Sequence, residues 1–184
     1  MTPLSLNKWE KSLQPVIDDM GGRPLNIHAL LAQHPALLEA WWPLRRHLVT
    51  GGELAQRECE LVILRVETHT GSWYEWASHV VRGMDSGLTL EEINDVRDSD
   101  AQWDEREAAL LSAVDQLTRQ RALSPEMLGR LGAFYTDQQV LDLMHLHGMY
   151  ATLAAILETW EVELDEHVAR RLPDTVTPES FARG

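Results

Sequence analysis

A hydroxyl, a carboxylate and an imidazole lie close together in the segment 71–79, as Ser72, Glu75 and His79. On an α-helix, residues three and four positions apart share one face. Glu75 and His79 then have two interpretations. They form a solvated acid–imidazole pair worth about a few tenths of a kcal/mol to the helix, or the carboxylate raises the pKa of the imidazole so that it transfers protons near neutral pH.

A further carboxylate, Glu60, lies upstream in the segment 57–65, on a predicted helical stripe that also contains Ile63 and Leu64. A carboxylate in the middle of an apolar helix face is costly to bury unpaired. We therefore expect Glu60 to meet a partner side chain from another helix.

The elements that carry these residues are predicted to be helices. One helix is predicted from about residue 53 to 70, and the next from about 72 to 85, with Gly71 between them. Earlier helices are predicted from Asn26 and from Pro35. Later helix starts are predicted near residues 90, 105, 125 and 137 by capping signals: Thr89 with Glu92, Asp104 with Glu107, Ser124 before Pro125, and Thr136 with Gln139. No period-two alternation predicts a strand, so the expected fold class is all-α.

Size and charge restrict the classes of function. The chain has 184 residues, which suit one domain with a sizeable core. Its formal net charge of −13, with no Lys/Arg-rich run, disfavours nucleic-acid binding and adsorption to anionic membranes. The one cysteine, Cys59, excludes an intrachain disulfide and is expected to be an inert, semi-buried thiol. No apolar stretch is expected to cross a bilayer, which takes about 18 residues, so a soluble, cytoplasmic protein is expected.

The segments 57–65 (RECELVILR) and 71–79 (GSWYEWASH) resemble the carboxymuconolactone decarboxylase and alkylhydroperoxidase D superfamily. Thiol-active members of this superfamily carry a Glu, then Cys-x-x-Cys, then a His four residues after the second Cys. Glu60 and His79 match that Glu and His, whereas Ser72 and Glu75 occupy the cysteine positions. The resemblance extends more loosely from about residue 26 to 163 and includes the segments 48–54 and 148–150.

This resemblance implies an alkylhydroperoxidase D-like helical bundle, assembled as a compact homo-oligomer, either a trimer or a hexamer. It divides the chain into an N-terminal extension (1–25), a carboxymuconolactone decarboxylase-like helical domain (26–165) and a C-terminal tail (166–184). The end of that tail, from about residue 172, has two prolines and no apolar periodicity. It is expected to be loose or to wrap a neighbouring subunit.

The resemblance also assigns roles at the site. His79 is expected to be the acid/base, Glu60 its orienting carboxylate, and Glu75 a second proton carrier or a pocket carboxylate. Peroxide reduction by the disulfide route is excluded, because the hydroxyl of Ser72 cannot cycle through a sulfenic acid or a disulfide. The implied activity is a cofactor-free lyase, decarboxylase or isomerase acting on a small acidic or lactone metabolite.

Five other residues are expected to contact the substrate: Ser72, Trp76, Arg82, His147 and Tyr150. Ser72 would donate a hydrogen bond, and Trp76 lies nearest the His79 stripe. Arg82, one turn after His79, would hold a substrate carboxylate or form a surface salt bridge. His147 and Tyr150, three apart on a late helix, are placed beside the catalytic pair by the resemblance, with a core histidine as the alternative for His147.

Two other classes of function stay open from the sequence. The first is a non-catalytic helical oligomer that binds a small ligand or a protein partner, suggested by the missing thiols and the many aromatic residues. The second is a metal site built from Glu60, Glu75 and His79. We expect no metal, because the Glu-x-x-His pairs of di-iron bundles do not recur in the chain.

Overall fold

The computed structural model describes residues 1–182, and these form eleven α-helices and no β-strand. The helices are α1 (Gln14–Asp19), α2 (Asn26–Leu31), α3 (Pro35–Arg46), α4 (Gln56–Thr70), α5 (Trp73–Asp85), α6 (Leu90–Asp95), α7 (Glu105–Gln120), α8 (Pro125–Leu131), α9 (Asp137–Thr159), α10 (Glu166–Ala169) and α11 (Pro178–Ala182). Two short 3-10 turns precede α1, and a π-helical turn, His47–Gly51, follows α3. The predicted all-α fold class is confirmed.

The central helix of the bundle is α4, which packs against α5, α7 and α9. Residues 58–67 are all buried, so the charged side chains among them need partners. Arg65 pairs with Asp115 of α7 at 2.7 Å, and Glu58 pairs with Arg106 of α7 at 2.6 Å. These ion pairs, together with the apolar packing, give α4 one fixed orientation in the bundle.

A two-residue connection, Gly71 and Ser72, reverses the chain between α4 and α5. Gly71 has a φ of 74°, in the left-handed region that favours glycine. Its N–H donates to the carbonyl of Glu67 at 2.9 Å and closes the last turn of α4. Because the connection is so short, α4 and α5 form an antiparallel pair. The middle of α4 therefore lies opposite the middle of α5.

The helix starts predicted from capping signals near residues 90, 105, 125 and 137 are confirmed. In all four cases the capping side chain accepts a backbone N–H from the third helical residue. The helix predicted from about residue 53 begins later, at Gln56. The cause is Asp142 of α9, which accepts the N–H of Glu53 at 2.9 Å and contacts His47 at 3.0 Å. These contacts hold the intervening segment against α9 and delay the start of α4.

The longest helix, α9, contradicts the expectation that no segment is apolar enough to cross a bilayer. By length and composition alone it would qualify, with a mean hydropathy of 1.4. The same composition suits the core helix of a globular protein. Here α9 packs along α4, and its buried side chains include Leu143, Leu146, Tyr150, Leu153 and Leu157.

The C-terminal segment is not loose over its described part, because it packs against its own chain; that it also wraps a neighbouring subunit stays a prediction. The ring of Phe181 stacks on the ring of Trp76 of α5, with centroids 5.2 Å apart. Arg97, just after α6, donates to the carbonyl of Ser180 at 3.2 Å. Residues 183–184 lie outside the described part of the chain.

The N-terminus of α2 is held by Asp165, which precedes α10. Asp165 is 7% exposed and accepts the N–H of Asn26 at 3.1 Å and the hydroxyl of Tyr74 at 2.5 Å. The Tyr74 oxygen in turn accepts the N–H of Ile27 at 3.4 Å. Since Tyr74 is adjacent to Glu75 on α5, this network fixes α2 beside the helix that carries the proposed acid/base residues.

We predict that Asp165→Ala lowers the free energy of unfolding by about 2 to 4 kcal/mol. The substitution leaves the Asn26 N–H and the Tyr74 hydroxyl without their acceptor, and each orphaned buried group costs about 1–3 kcal/mol. Urea unfolding measures the change. The control is Glu166→Ala, whose side chain is 80% exposed and should change the stability by about 0.5 kcal/mol or less. Equal effects of the two substitutions would contradict the assignment.

Candidate functional site

The site begins with one buried contact between α4 and α5. The Nδ1 atom of His79 lies 2.6 Å from Oε2 of Glu60. The two residues are 2% and 1% exposed, respectively. The other oxygen of Glu60 accepts a hydrogen bond from the side-chain amide of Gln56 at 3.1 Å. Glu60 is thus held by an amide on one side and engages the imidazole with its second oxygen.

A second carboxylate lies on the opposite edge of the imidazole. The Nε2 atom of His79 is 3.4 Å from Oε2 of Glu75, one helical turn earlier on α5. The ring of Tyr150, from α9, meets the imidazole edge-on with centroids 4.9 Å apart. The imidazole is therefore clamped between two carboxylates and packed by an aromatic ring, which fixes its orientation.

Burial alone would lower the pKa of the His79 imidazole, because it disfavours the charged form. The charge of Glu60 and the hydrogen bond to it outweigh burial, and the contact with Glu75 adds to them, so the pKa is raised above its usual value. Arg82 opposes this effect to a smaller extent. The arrangement favours an imidazolium whose Nδ1–H donates to Glu60, with Nε2 directed toward Glu75 at the longer distance of 3.4 Å.

A small internal pocket adjoins the Glu75 side of the imidazole. Its volume is about 20 Å³, which is room for about one water molecule. Side chains from α2, α3, α5 and α9 surround it: His28, Trp41, Arg45, Glu75, Ser78, His79, Arg82, Tyr150 and Leu153, with Leu25 and Ile27 at the N-terminus of α2. Four helices therefore converge on the imidazole edge that Glu60 does not occupy.

Three residues that are predicted from the sequence to contact the substrate lie elsewhere. Ser72 is fully buried at the α4–α5 turn, where its hydroxyl has no hydrogen-bond partner among residues 1–182. Trp76 does not line the pocket, and its ring stacks on the ring of Phe181. His147 contacts the Thr118 hydroxyl of α7 at 3.0 Å. Of the predicted binding residues, Arg82 and Tyr150 do line the pocket.

His28, Arg45 and Ser78 also line the pocket and are not predicted to do so from the sequence. Ser78 had a local signal, because it follows Glu75 by three positions and therefore shares its helix face. His28 stands alone in a buried apolar run on α2, and Arg45 belongs to a predicted helix with no other chemical motif. Their place at the pocket depends on how α2 and α3 pack, which local spacing does not encode.

The one thiol of the chain does not replace the missing cysteine pair. Cys59 is 2% exposed, and burial, with the nearby charges of Glu60 and Glu58, raises the pKa of its thiol to about 12. A buried thiol that stays protonated is a poor nucleophile. The pocket therefore offers proton transfer and hydrogen bonding, whereas thiol chemistry has no group to carry it among the residues that line it.

Metal binding is also disfavoured by the way the imidazole is used. Both ring nitrogens of His79 face carboxylate oxygens, Nδ1 toward Glu60 and Nε2 toward Glu75. A metal ligand must present an unprotonated nitrogen to the ion, which conflicts with a charged imidazole that is hydrogen-bonded to Glu60 and directed toward Glu75. The geometry suits a proton relay better than chelation.

Comparison with known families and structures agrees with the helical arrangement. A family model described as the carboxymuconolactone decarboxylase family matches residues 35–116, a range that contains Glu60, Glu75 and His79. No curated protein gives a significant match to the sequence.

Several solved structures share the fold. An alkylhydroperoxidase core from Ralstonia eutropha JMP134, an uncharacterized peroxidase-related protein, superposes with a TM-score of 0.81 at 15% identity over 95% of this chain and 97% of that one. A variant of the debrominase Bmp8, in complex with 2,3,4-tribromopyrrole, superposes with a TM-score of 0.78 at 16% identity over 96% of both chains. An uncharacterized peroxidase-related protein from Silicibacter sp. TM1040 superposes with a TM-score of 0.77 at 15% identity, over 91% of this chain and 93% of that one. At identities this low, these similarities show a shared fold and do not extend to a shared activity.

We predict that Glu60→Gln lowers the pKa of His79, because burial then acts without the main charge that opposes it. The ¹⁵N chemical shifts of the His79 ring, followed against pH, measure the change, with Glu126→Gln on α8 as a remote control. An unchanged titration of His79 in Glu60→Gln would contradict the assigned cause.

The raised pKa also has a consequence for stability. In the unfolded chain the imidazole titrates near its usual value of about 6.5. The stabilisation by the charged ring is therefore full below that pH and is lost as the pH rises through the higher, folded-state pKa. Urea unfolding at a series of pH values should therefore show the free energy of unfolding of the wild type falling over this range. The pH-dependent fall due to His79 should be absent from His79→Gln.

Proposed function

We propose that the chain, whose residues 35–116 match the model of the carboxymuconolactone decarboxylase family, belongs to that family and is a cofactor-free lyase or isomerase of the decarboxylase type. Its substrate would be a small acidic or lactone metabolite. The observation that supports the proposal most is the buried 2.6 Å contact between His79 and Glu60 at the edge of an internal pocket. A buried, charged imidazole suits an acid that protonates a substrate carbon.

In the proposed reaction, a carboxylate carried by the carbon atom next to a carbonyl group, as in a β-keto acid, leaves as CO2. The electron pair of the broken carbon–carbon bond passes into an enolate, which is then protonated on carbon. The proton comes from Nε2 of His79, the ring nitrogen on the pocket side. The neutral imidazole regains a proton afterwards, so that each turnover consumes one proton from water.

Glu60 and Glu75 would act through the imidazole in different ways. Glu60 holds Nδ1, fixes the orientation of the ring and stabilises its positive charge, much as a carboxylate does in other acid–imidazole pairs. Glu75 lies at the looser 3.4 Å distance and borders the pocket. It is placed to pass a proton to Nε2 or to contact the substrate directly.

Thiol-dependent peroxide reduction is not part of the proposal. Ser72 and Glu75 occupy the positions of the cysteine pair, and Cys59 is buried with its thiol pKa raised to about 12. The fold neighbours include peroxidase-related proteins and a debrominase. This chain shares their helical frame and lacks a pair of thiols to cycle between reduced and oxidised forms.

Substrate binding requires the pocket to enlarge, since about 20 Å³ holds about one water molecule. Trp41 and Leu153 separate this pocket from a wider groove of about 410 Å³ between α3 and α9. Trp41, Arg45 and Arg82 border the pocket and are half-buried. We propose that these side chains move when the substrate enters.

We predict that His79→Gln lowers kcat/KM by about 10²–10⁴-fold, the usual contribution of a general acid, and that Glu60→Gln causes a smaller loss. Release of CO2 and solvent-proton exchange are measured on a panel of lactones and β-keto acids. The control is His34→Asn, an exposed histidine that caps α3, since asparagine also caps helices well.

Equal turnover by the wild type and His79→Gln would contradict the proposal. The second candidate is a non-catalytic oligomer that binds a small ligand, and the very small volume of the pocket favours it. A ligand retained in native mass spectrometry, with no turnover on the panel by the wild type, would support that second candidate.

We also propose that the protein self-associates, as a trimer or hexamer, through the face formed by α3 and α9. Large apolar side chains are exposed there: Leu37 is 46% exposed, Leu44 43%, Leu141 57% and Met144 39%. A cluster of this kind on one face is typical of a subunit contact. A cytoplasmic location is proposed with it.

We predict that the double substitution Leu44→Glu with Met144→Glu shifts the assembly to monomers, because it places charges in the apolar groove. Light scattering coupled to size-exclusion chromatography measures the mass. The matched control is Leu128→Glu on α8, which is 47% exposed and lies outside that groove. A wild-type protein that is already monomeric would contradict the proposed assembly.

A further inference from the structure

Two arginine side chains border the inner pocket without a carboxylate partner. Arg45 of α3 and Arg82 of α5 are half-buried, and neither guanidinium forms an ion pair or donates a hydrogen bond within residues 1–182. The Arg45 guanidinium lies 5.0 Å from the ring centroid of Trp42, which orients it without neutralising its charge. A partly desolvated cation with no counter-ion is costly, so this arrangement suggests that a ligand supplies the negative charge.

Other arginines that are withdrawn from solvent do have partners in the described chain. These are Arg57 with Glu92 and Glu107, Arg65 with Asp115, Arg106 with Glu58, and Arg97 with the carbonyls of Ser180 and Phe181. Acidic side chains are abundant, with 29 Asp and Glu against 16 Lys and Arg. A shortage of acidic residues therefore does not explain why Arg45 and Arg82 have no partner; the explanation lies in how side chains are arranged around the pocket.

Two neutral groups beside the arginines can donate hydrogen bonds. Nδ1 of His28 accepts the backbone N–H of Leu25 at 3.2 Å, so the ring proton is on Nε2. Burial, followed by the charges of Arg45 and Arg82, lowers the pKa of His28 to about 3, and the ring stays neutral. The Ser78 hydroxyl is buried at the same pocket, with no partner among residues 1–182.

The charges around the pocket leave an excess of one positive charge. In formal charges, Glu60 and Glu75 contribute two negative charges. Arg45, Arg82 and the His79 imidazolium contribute three positive charges. A monoanion would balance the site, and the planar guanidinium groups match the geometry of a carboxylate.

We propose that Arg45 and Arg82, with His28 Nε2–H and the Ser78 hydroxyl as further donors, bind the carboxylate of a small organic acid beside His79. The identification of this acid as the substrate rests on the proposed function, whereas its binding requires no turnover. Held at the arginines, such an acid lies next to the Glu75 edge of the imidazole, where the proton is to be delivered.

The test uses two probes of nearly the same shape, acetate and its neutral counterpart acetamide. The indole N–H signal of Trp41, which lines the pocket, reports binding in ¹H–¹⁵N spectra at low ionic strength, where charge pairing is least screened. Acetate should bind and acetamide should bind at least about tenfold more weakly. Arg45→Gln and Arg82→Gln should each raise the Kd of acetate by about tenfold or more, as expected for loss of a charge-assisted hydrogen bond.

The matched control is Arg46→Gln, because Arg46 neighbours Arg45 on α3 but is exposed and pairs with Asp19 at 3.7 Å. This variant should keep the wild-type Kd. The thermal unfolding midpoints of Arg45→Gln and Arg82→Gln should be unchanged or raised, since each removes an unpaired cation, whereas a structural arginine would lower the midpoint when replaced.

Equal binding of acetate and acetamide, or an unchanged Kd for acetate in both arginine variants, would overturn the inference. A different outcome would refute the proposed function and leave the anion site intact. Acetate binding that depends on the two arginines, with no turnover by the wild type on the panel of acids and lactones, would refute the lyase and keep the anion site.

Discussion

The need to bury an acid and an imidazole together between α4 and α5 governs the arrangement of this protein. Glu60 and His79 are almost fully enclosed, and either group alone would be costly to remove from water. Their 2.6 Å contact offsets this desolvation cost, and it forms only when α4 and α5 keep a fixed position relative to each other. The short Gly71–Ser72 turn and the ion pairs of α4 with α7 supply that register.

The same constraint accounts for how much of the site can be predicted from sequence. Capping signals and the break at Gly71 define most helices, because they act through hydrogen bonds between near neighbours. The match of Glu60 and His79 to a family spacing, together with the antiparallel turn, then predicts their pairing. His28 and Arg45 are not predictable in this way, since their place at the pocket depends on packing between helices distant in sequence.

The misplaced residues have a related cause. Trp76 and Ser72 are near the His79 stripe when angles on an ideal helix are counted, but the ring of Trp76 stacks on Phe181 and lies in a separate apolar cluster. The C-terminal segment that supplies Phe181 has no periodic pattern, so its effect on α5 cannot be read from the sequence. Likewise, the apolar composition of α9 records burial against α4, although it would equally suit a bilayer.

The central claim is that Glu60 acts on the reaction through His79, so that the two form one proton-transferring unit. A double-mutant cycle in kcat/KM tests this most directly, on whichever substrate of the panel is turned over. The account predicts that the double variant Glu60→Gln with His79→Gln is no slower than His79→Gln alone, because Glu60 has no role once the imidazole is gone. Losses that multiply, as for two independent groups, would contradict it.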